Sequence, residues 1–269
     1  MDASEILIEP SKLGVALATG TLLIDARKAG EFKKGHIPGA VPLSTYDAVV
    51  TDSSLEAMRK FAQSMAERYS SVGVRLDRPV VVYDEHTGMR AARELWMLEL
   101  IGHRRARMLH GGLTQWQAEG NPVLADTDII TVRPAGIQVS VASGCYAPID
   151  EMARRAGTWN FTLIDVRNDL EWAGQDATPC CQRRGHIPRA IHIEWTRFLE
   201  NGRFKSPEQI VQMIEEHAIN PRQEIAVYCH TGARSANAYY ALRYAGLLGA
   251  RNFMGSWHEW SARADLPVE

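Results

Sequence analysis

One cysteine opens the run Cys229-His230-Thr231-Gly232-Ala233-Arg234-Ser235, and no acidic residue interrupts it. The apolar stretch EIAVY ends just before it, and a helix-forming run, SANAYYALRYAGLLG, starts at Ser235. A tight loop between a strand and a helix turns its N–H groups toward the first side chain. Those amides, with the N-terminus of the helix, favour negative charge there. A thiol so placed loses its proton more readily than free cysteine, whose pKa is about 8.5. Gly232 permits the turn, and Arg234 can present two parallel hydrogen bonds to an oxyanion. The competing assignment for Cys229 is a buried structural thiol, because unpaired cysteines are often core residues. A loop carrying Gly and Arg favours the nucleophile.

The neighbouring groups are less specific. Arg234 is the candidate for holding an anionic donor, against the alternative of an ion pair with a nearby loop. His230 either tunes the thiolate or faces solvent. Adjacent Cys180 and Cys181 have the chemistry for a redox relay with Cys229 or for a soft metal. No second ligand pair stands at metal spacing, so an incidental surface loop is expected there and no metal is assigned.

The elements that must position these groups occur twice. LLIDARKAGEFKKGHIPGAVPL begins at Leu22, and TLIDVRNDLEWAGQDATPCCQRRGHIPRAIHI begins at Thr162. Asp25, Arg27 and Glu31 match Asp165, Arg167 and Glu171. Glu31 precedes Gly35 by four residues whereas Glu171 precedes Gly185 by fourteen, so the second copy carries an insertion, and it holds Cys180 and Cys181. Further on, PVVVYDEHTGMRAARELWMLELIGH matches EIAVYCHTGARSANAYYALRYAGLLGA, and Trp116 and Pro122 match Trp260 and Pro267. A tandem duplication accounts for all of these. It divides the chain into residues 1–126, a linker at 127–140 and residues 141–269. LLID, VVVYD, TLIDV and IAVYC read as short buried parallel strands. Ala91, Leu95, Leu98 and Ile101 mark one face of a helix. Strands alternating with helices imply an α/β fold with a parallel sheet, present twice.

Composition excludes several classes. The chain has 269 residues, 45% hydrophobic and 23% charged, with net charge −2. Such a balance creates no global field for nucleic acid or a membrane surface, so anion binding must be local. No apolar run reaches the roughly 18 residues of a membrane span, and MDASEILIEPSKLG lacks the basic and apolar regions of a secretory signal. The four cysteines form no CxxC pair, which points to a reducing cytoplasm.

The IDxR…GHIP segments, the Cys229 loop and the closing MGSWHEW…LPVE resemble the tandem-domain rhodaneses, the thiosulfate sulfurtransferases, in their bacterial two-domain form, over nearly the whole chain. The resemblance implies two tandem rhodanese-like domains, each a parallel β-sheet flanked by helices, with the second catalytic. Asp84 replaces the cysteine in the first, YDEHTGMRA against YCHTGARSA, and a carboxylate neither accepts sulfur nor welcomes an anionic donor. A silent first domain covering the site and shaping its entrance is therefore implied. Cell-cycle-type dual-specificity phosphatases of this fold place five residues between cysteine and arginine. Here four separate Cys229 from Arg234, a smaller ring of amides suited to a sulfur atom.

Also implied is a double displacement through a Cys229 persulfide, held by the amides of His230, Thr231, Gly232, Ala233, Arg234 and Ser235, with no cofactor. Thiosulfate is the donor, and cyanide or a thiol the acceptor. Arg183 and Arg184 lie where related sulfurtransferases place substrate-binding arginines, a solvated surface pair being the alternative. Trp195 is an apolar wall of the site or simply core. Asp165, Arg167, His36 and His186 are structural, since both copies keep them. The nearest rival is 3-mercaptopyruvate sulfurtransferase, whose Cys-Gly-Ser-Gly-Val-Thr loop has Thr231 and Arg234 in place of Ser and the last Thr. A persulfide carrier loaded by a protein donor, handing sulfur to a protein acceptor, is the rival of a different class. A regulatory, non-catalytic module is disfavoured by the intact Cys229 loop. A monomer without nucleic-acid or membrane partners completes the expectation.

Overall fold

The structure is a computed structural model that describes residues 5–125, 134, 136–176, 179–181 and 183–269. The chain forms two compact units, Met1–Ala48 with Lys60–Ala142 and Asn201–Phe204, and Val49–Arg59 with Ser143–Glu200 and Lys205–Glu269. A single cut at residues 127–140 therefore misses two short exchanges, and residues 127–133 and 135 of that linker lie outside the described residues. Hydrogen bonds explain the exchanges. In the second unit Ser53 donates its N–H to Glu259 Oε1 (2.7 Å), and its Oγ accepts from Ile149 N–H (2.8 Å). In the first, Gly202 accepts from Thr87 N–H (2.8 Å) and Arg203 binds Glu9 (2.8 Å).

The first unit holds β1 (Leu7–Ile8), β2 (Leu22–Asp25), β3 (Ala40–Pro42), β4 (Val80–Tyr83) and β5 (Ala106–Leu109), in the order β1-β5-β4-β2-β3. All neighbours are parallel, with Leu23 opposite Val81 and Asp25 opposite Tyr83. Every residue of β2 and β4 is buried, as expected of strands covered on both faces. The helix Met89–Leu100 buries Ala91, Leu95 and Leu98, the face its spacing implied.

In the second unit β6 (Phe161–Asp165) and β7 (Ile191–His192) precede the two-residue strands β8 (Leu199–Glu200) and β9 (Arg203–Phe204), the latter counted with the first unit. Then come β10 (Glu224–Tyr228) and β11 (Arg251–Asn252). The parallel sheet runs β11-β10-β6-β7. Tyr146 bridges Asn252 in parallel at its edge, as β1 lies beside β5 in the first unit, so both copies share one strand order. Among the described residues no helix is long and apolar enough to cross a membrane.

In both units the matched loop leaves the C-terminal end of the strand beside β2 or β6. Open parallel sheets place their ligand sites at that end. A cleft lined by Thr21, Pro79, Arg105 and Arg107 lies instead at the N-terminal strand ends of the first unit, away from this chemistry.

Candidate active site

Strand β10 ends at the buried Tyr228, whose hydroxyl accepts from Ile187 N–H at 3.1 Å. Cys229 follows with 1% exposure. The start of the helix Ser256–Ala262 pins the loop. Trp257 and His258 donate their N–H groups to the carbonyls of Cys229 and His230, both at 3.0 Å. Ser256 Oγ accepts from Cys229 N–H (3.1 Å) and donates to Phe253 O (2.8 Å). Gly232 then turns at φ +88, and a Cβ there would come within 2.2 Å of Met254 Sδ and 2.8 Å of Met254 O. No other residue fits that turn.

The turn aims donors at sulfur. Gly232 N–H lies 3.1 Å from Cys229 Sγ, and Ser235 Oγ lies 3.5 Å from it. The helix Ala233–Tyr244 begins at this point. Burial pushes the Cys229 thiol up, but the Arg234 charge, the Ser235 hydroxyl and the amides of Ser235 and Gly232 outweigh it, and the thiol falls below its ordinary range. A buried sulfur that prefers to be a thiolate can attack a sulfur–sulfur bond.

Arg234 is placed differently from the expectation. Its two terminal nitrogens bind Glu171 in parallel, at 2.5 and 2.8 Å, and the pair is largely buried. Glu171 is itself held at the third position of the short helix Asp169–Trp172 by a reciprocal cap. Asn168 Oδ1 accepts from Glu171 N–H (2.8 Å), and Glu171 Oε2 from Asn168 N–H (3.3 Å). Burial raises the Glu171 carboxyl, yet Arg234 holds it below the usual carboxylate range. Arg234 thus contributes a fixed charge near sulfur, and its fork is occupied by protein rather than presented to a donor.

Arg183 is a correction. It donates to the carbonyls of Trp260, Ser261, Arg263 and Leu266 at 2.6–3.0 Å, so it caps the C-terminal segment and does not offer its guanidinium to a substrate. Arg184 is exposed. Trp195 is half-buried at the start of the 3-10 turn Trp195–Phe198, and its N–H donates to Val166 O (3.1 Å). Thr231 is half-buried and Ala233 buried within the loop. Burial and the Arg234 charge lower His230 to a pKa of about 4, so its ring is neutral at neutral pH.

Asp165 and Arg167 pair with each other (2.6 Å), and Arg167 also binds Gly185 O (2.8 Å). Asp25 and Arg27 form the same pair at 2.7 Å. His36 and His186 likewise match, each using Nδ1 on a carbonyl at 3.1 Å. Sequence reasoning missed Glu171, Ser256 and His258. For Ser256 a signal existed, since the repeat sets it opposite Gly112.

The Rhodanese-like domain family matches residues 9–119 and 148–263, one match on each copy. The chain belongs to the rhodanese-like family. It is a two-domain sulfurtransferase of that family, similar over 98% of its length to a thiosulfate sulfurtransferase of Azotobacter vinelandii, at 30% identity and 97% of that protein. A crystal structure of a probable thiosulfate sulfurtransferase superposes with TM-score 0.74 at 30% identity, covering 93% of this chain and 97% of that one. The SseA protein of Escherichia coli, described as a 3-mercaptopyruvate sulfotransferase, gives TM-score 0.80 at 24% identity, covering 93% and 98%; that likeness is one of fold. Within this rhodanese, Asp84 of the first unit accepts from the N–H groups of Glu85 (2.8 Å) and Arg90 (3.0 Å), so a carboxylate fills the cradle that surrounds sulfur in the second.

Proposed function

We propose that the second unit moves the outer sulfur of thiosulfate through a persulfide on Cys229 to a thiophilic acceptor such as cyanide. The Cys229 thiolate attacks the outer sulfur, a bond from Sγ to that sulfur forms, and the old sulfur–sulfur bond breaks with its electron pair leaving on sulfite. Cyanide carbon then attacks the outer sulfur, thiocyanate departs, and the pair returns to Sγ as thiolate. Both steps balance without a redox partner. The observation that carries the reading is the Gly232 N–H on Cys229 Sγ at 3.1 Å, in a loop that keeps the buried thiol acidic. The family relatives named thiosulfate sulfurtransferase support the choice of donor. Arg234 acts here by stabilising the thiolate and the persulfide anion, while the loop amides meet the incoming charge.

The test is intact mass after incubation with thiosulfate and removal of excess donor. One added sulfur, discharged by cyanide and absent in Cys229→Ser, is expected. Loading from 3-mercaptopyruvate but not thiosulfate would transfer the assignment to that donor. Loading only from a protein persulfide would make the chain a carrier. Sulfur retained on Cys229→Ser would remove Cys229 from the role.

A further inference from the structure

Next to the nucleophile, the second unit gathers four groups that the sulfur transfer leaves unused. Cys180, Cys181, His230 and His258 each bring one ligand atom, and these atoms all lie within 4.8 Å of one another. The two sulfurs are 3.8 Å apart, and His230 Nε2 lies 3.1 Å from Cys180 Sγ and 3.3 Å from Cys181 Sγ. A tetrahedral zinc ion with Zn–S of about 2.3 Å and Zn–N of about 2.0 Å sets its sulfurs about 3.8 Å apart and sulfur and nitrogen about 3.5 Å apart. The cluster is within a few tenths of an ångström of that geometry at the three distances given.

Hydrogen bonding alone leaves the cluster incomplete. One imidazole nitrogen, carrying either one proton or one lone pair, serves one thiol, which leaves the other mainly to a neighbouring sulfur, a weak acceptor. Among the described residues the buried His258 Nδ1 has no hydrogen-bond partner, which is uncommon in native interiors. The frame is built from both sides. His258 N–H donates to His230 O at 3.0 Å, which ties the two histidines together through backbone. Arg183, two residues past Cys181, fixes the end of the insertion on four carbonyls. The first copy lacks the insertion and has Thr114 opposite His258, so the cluster exists only in the half that carries Cys229.

We propose that Cys180, Cys181, His230 and His258 form a binding site for one tetrahedral divalent cation of the zinc type. Two thiolates and two imidazoles are the donor set such a cation takes. The thiolate charges neutralise it, and binding releases the two thiol protons to solvent. A bound cation fixes the ring of the residue that follows Cys229 and holds the insertion in one arrangement. This goes beyond sulfur transfer and does not depend on it.

The experiment uses the full chain, reduced with a phosphine and stripped with a chelator under anaerobic conditions. Zn(II) is titrated against a chromophoric chelator, and Co(II) is added in parallel. One equivalent of Zn(II) should bind, and the Co(II) protein should show thiolate charge-transfer bands with strong visible bands of tetrahedral type. Cys180→Ser with Cys181→Ser should abolish both, and His258→Gln should weaken binding by about a hundredfold or more, since a lost ligand costs at least as much as a lost outer partner, with circular dichroism showing that the variants fold. Cys229→Ser should bind as the parent does, which separates this site from the nucleophile. Absence of a one-equivalent complex, weak octahedral-type Co(II) bands, binding that survives the double cysteine variant, or binding lost in Cys229→Ser would each overturn the proposal.

Discussion

At the end of β4 the amides of Glu85 and Arg90 close on the carboxylate of Asp84, at 2.8 and 3.0 Å. At the end of β10 the amide of Gly232 closes on the sulfur of Cys229, at 3.1 Å. The following carbonyls are pinned alike. Leu113 and Thr114 donate to Asp84 O and Glu85 O, and Trp257 and His258 donate to Cys229 O and His230 O. The scaffold therefore makes an anion cradle in both halves, and the two differ in what occupies it. In the first the occupant is a carboxyl group, which has no sulfur to extend. Burial raises the Asp84 carboxyl, partly offset by the amides of Glu85 and Arg90. In the second the occupant is a thiol held toward its thiolate form.

The surroundings diverge to match. Arg90 stacks on Tyr46, 4.1 Å from the ring centre, while Glu31 pairs with Lys34 at the surface. In the second half, the matching Glu171 turns inward to Arg234. Gly112 has φ +61, and a Cβ there would strike Asp84 O at 2.4 Å and His86 O at 2.6 Å. The second loop is one residue shorter, which makes room for Ser256 at φ +55 and lets its hydroxyl hold Cys229 N–H. One deleted residue thus exchanges an obligatory glycine for a supporting hydroxyl.

The sharpest test copies the first half into the second. Cys229→Asp should remove sulfur loading altogether while the fold persists, read by thiocyanate formation and circular dichroism; residual turnover would show that the carboxylate is not what silences the first unit. Gly112→Ser, the reverse copy, should lower stability by about 3 kcal/mol through overpacking, seen as a drop of about 10 °C in the first unit's melting. An unchanged transition would mean that the two loops do not differ in room.

Arg234→Gln should raise the Cys229 thiol, since a positive neighbour favours the charged form. The folded thiol lies below its ordinary value, so the parent keeps its thiolate as pH falls, and the variant needs a higher pH for the same alkylation rate. Iodoacetamide labelling against pH reads this midpoint. A midpoint that stays in place would remove Arg234 from the thiolate's environment. Ser256→Gly should matter least. Loss of the bond to Cys229 N–H costs about 1 kcal/mol, and relief of the left-handed φ returns about as much. Stability should stay within about 1 kcal/mol and loading within a few-fold; a collapse of either would make Ser256 more than a support.

The duplication, the strand–loop–helix around Cys229 and the exchange of Cys229 for Asp84 between the copies were all legible, because each resides in contiguous residues whose spacing sets local geometry. Strand order was not, since β2, β4, β6 and β10 are short, mostly apolar runs and carry no mark of their neighbours. Arg183 misled because four carbonyls of the closing segment, more than 75 residues away in sequence, outcompete a substrate for its donors.

Sequence by itself determined which residue is the candidate nucleophile, which half holds it and what stands in its place in the other half. Tertiary structure alone decided who stands beside it. Arg234 meets Glu171 across 63 residues. Cys180 and Cys181 meet His230 and His258 across about 50 residues of chain or more, beside Arg183 and the Ser256–Ala262 helix. Periodicity records how a segment folds locally; the partner of a charged or ligating side chain is set by sheet register and loop closure, which no local spacing encodes.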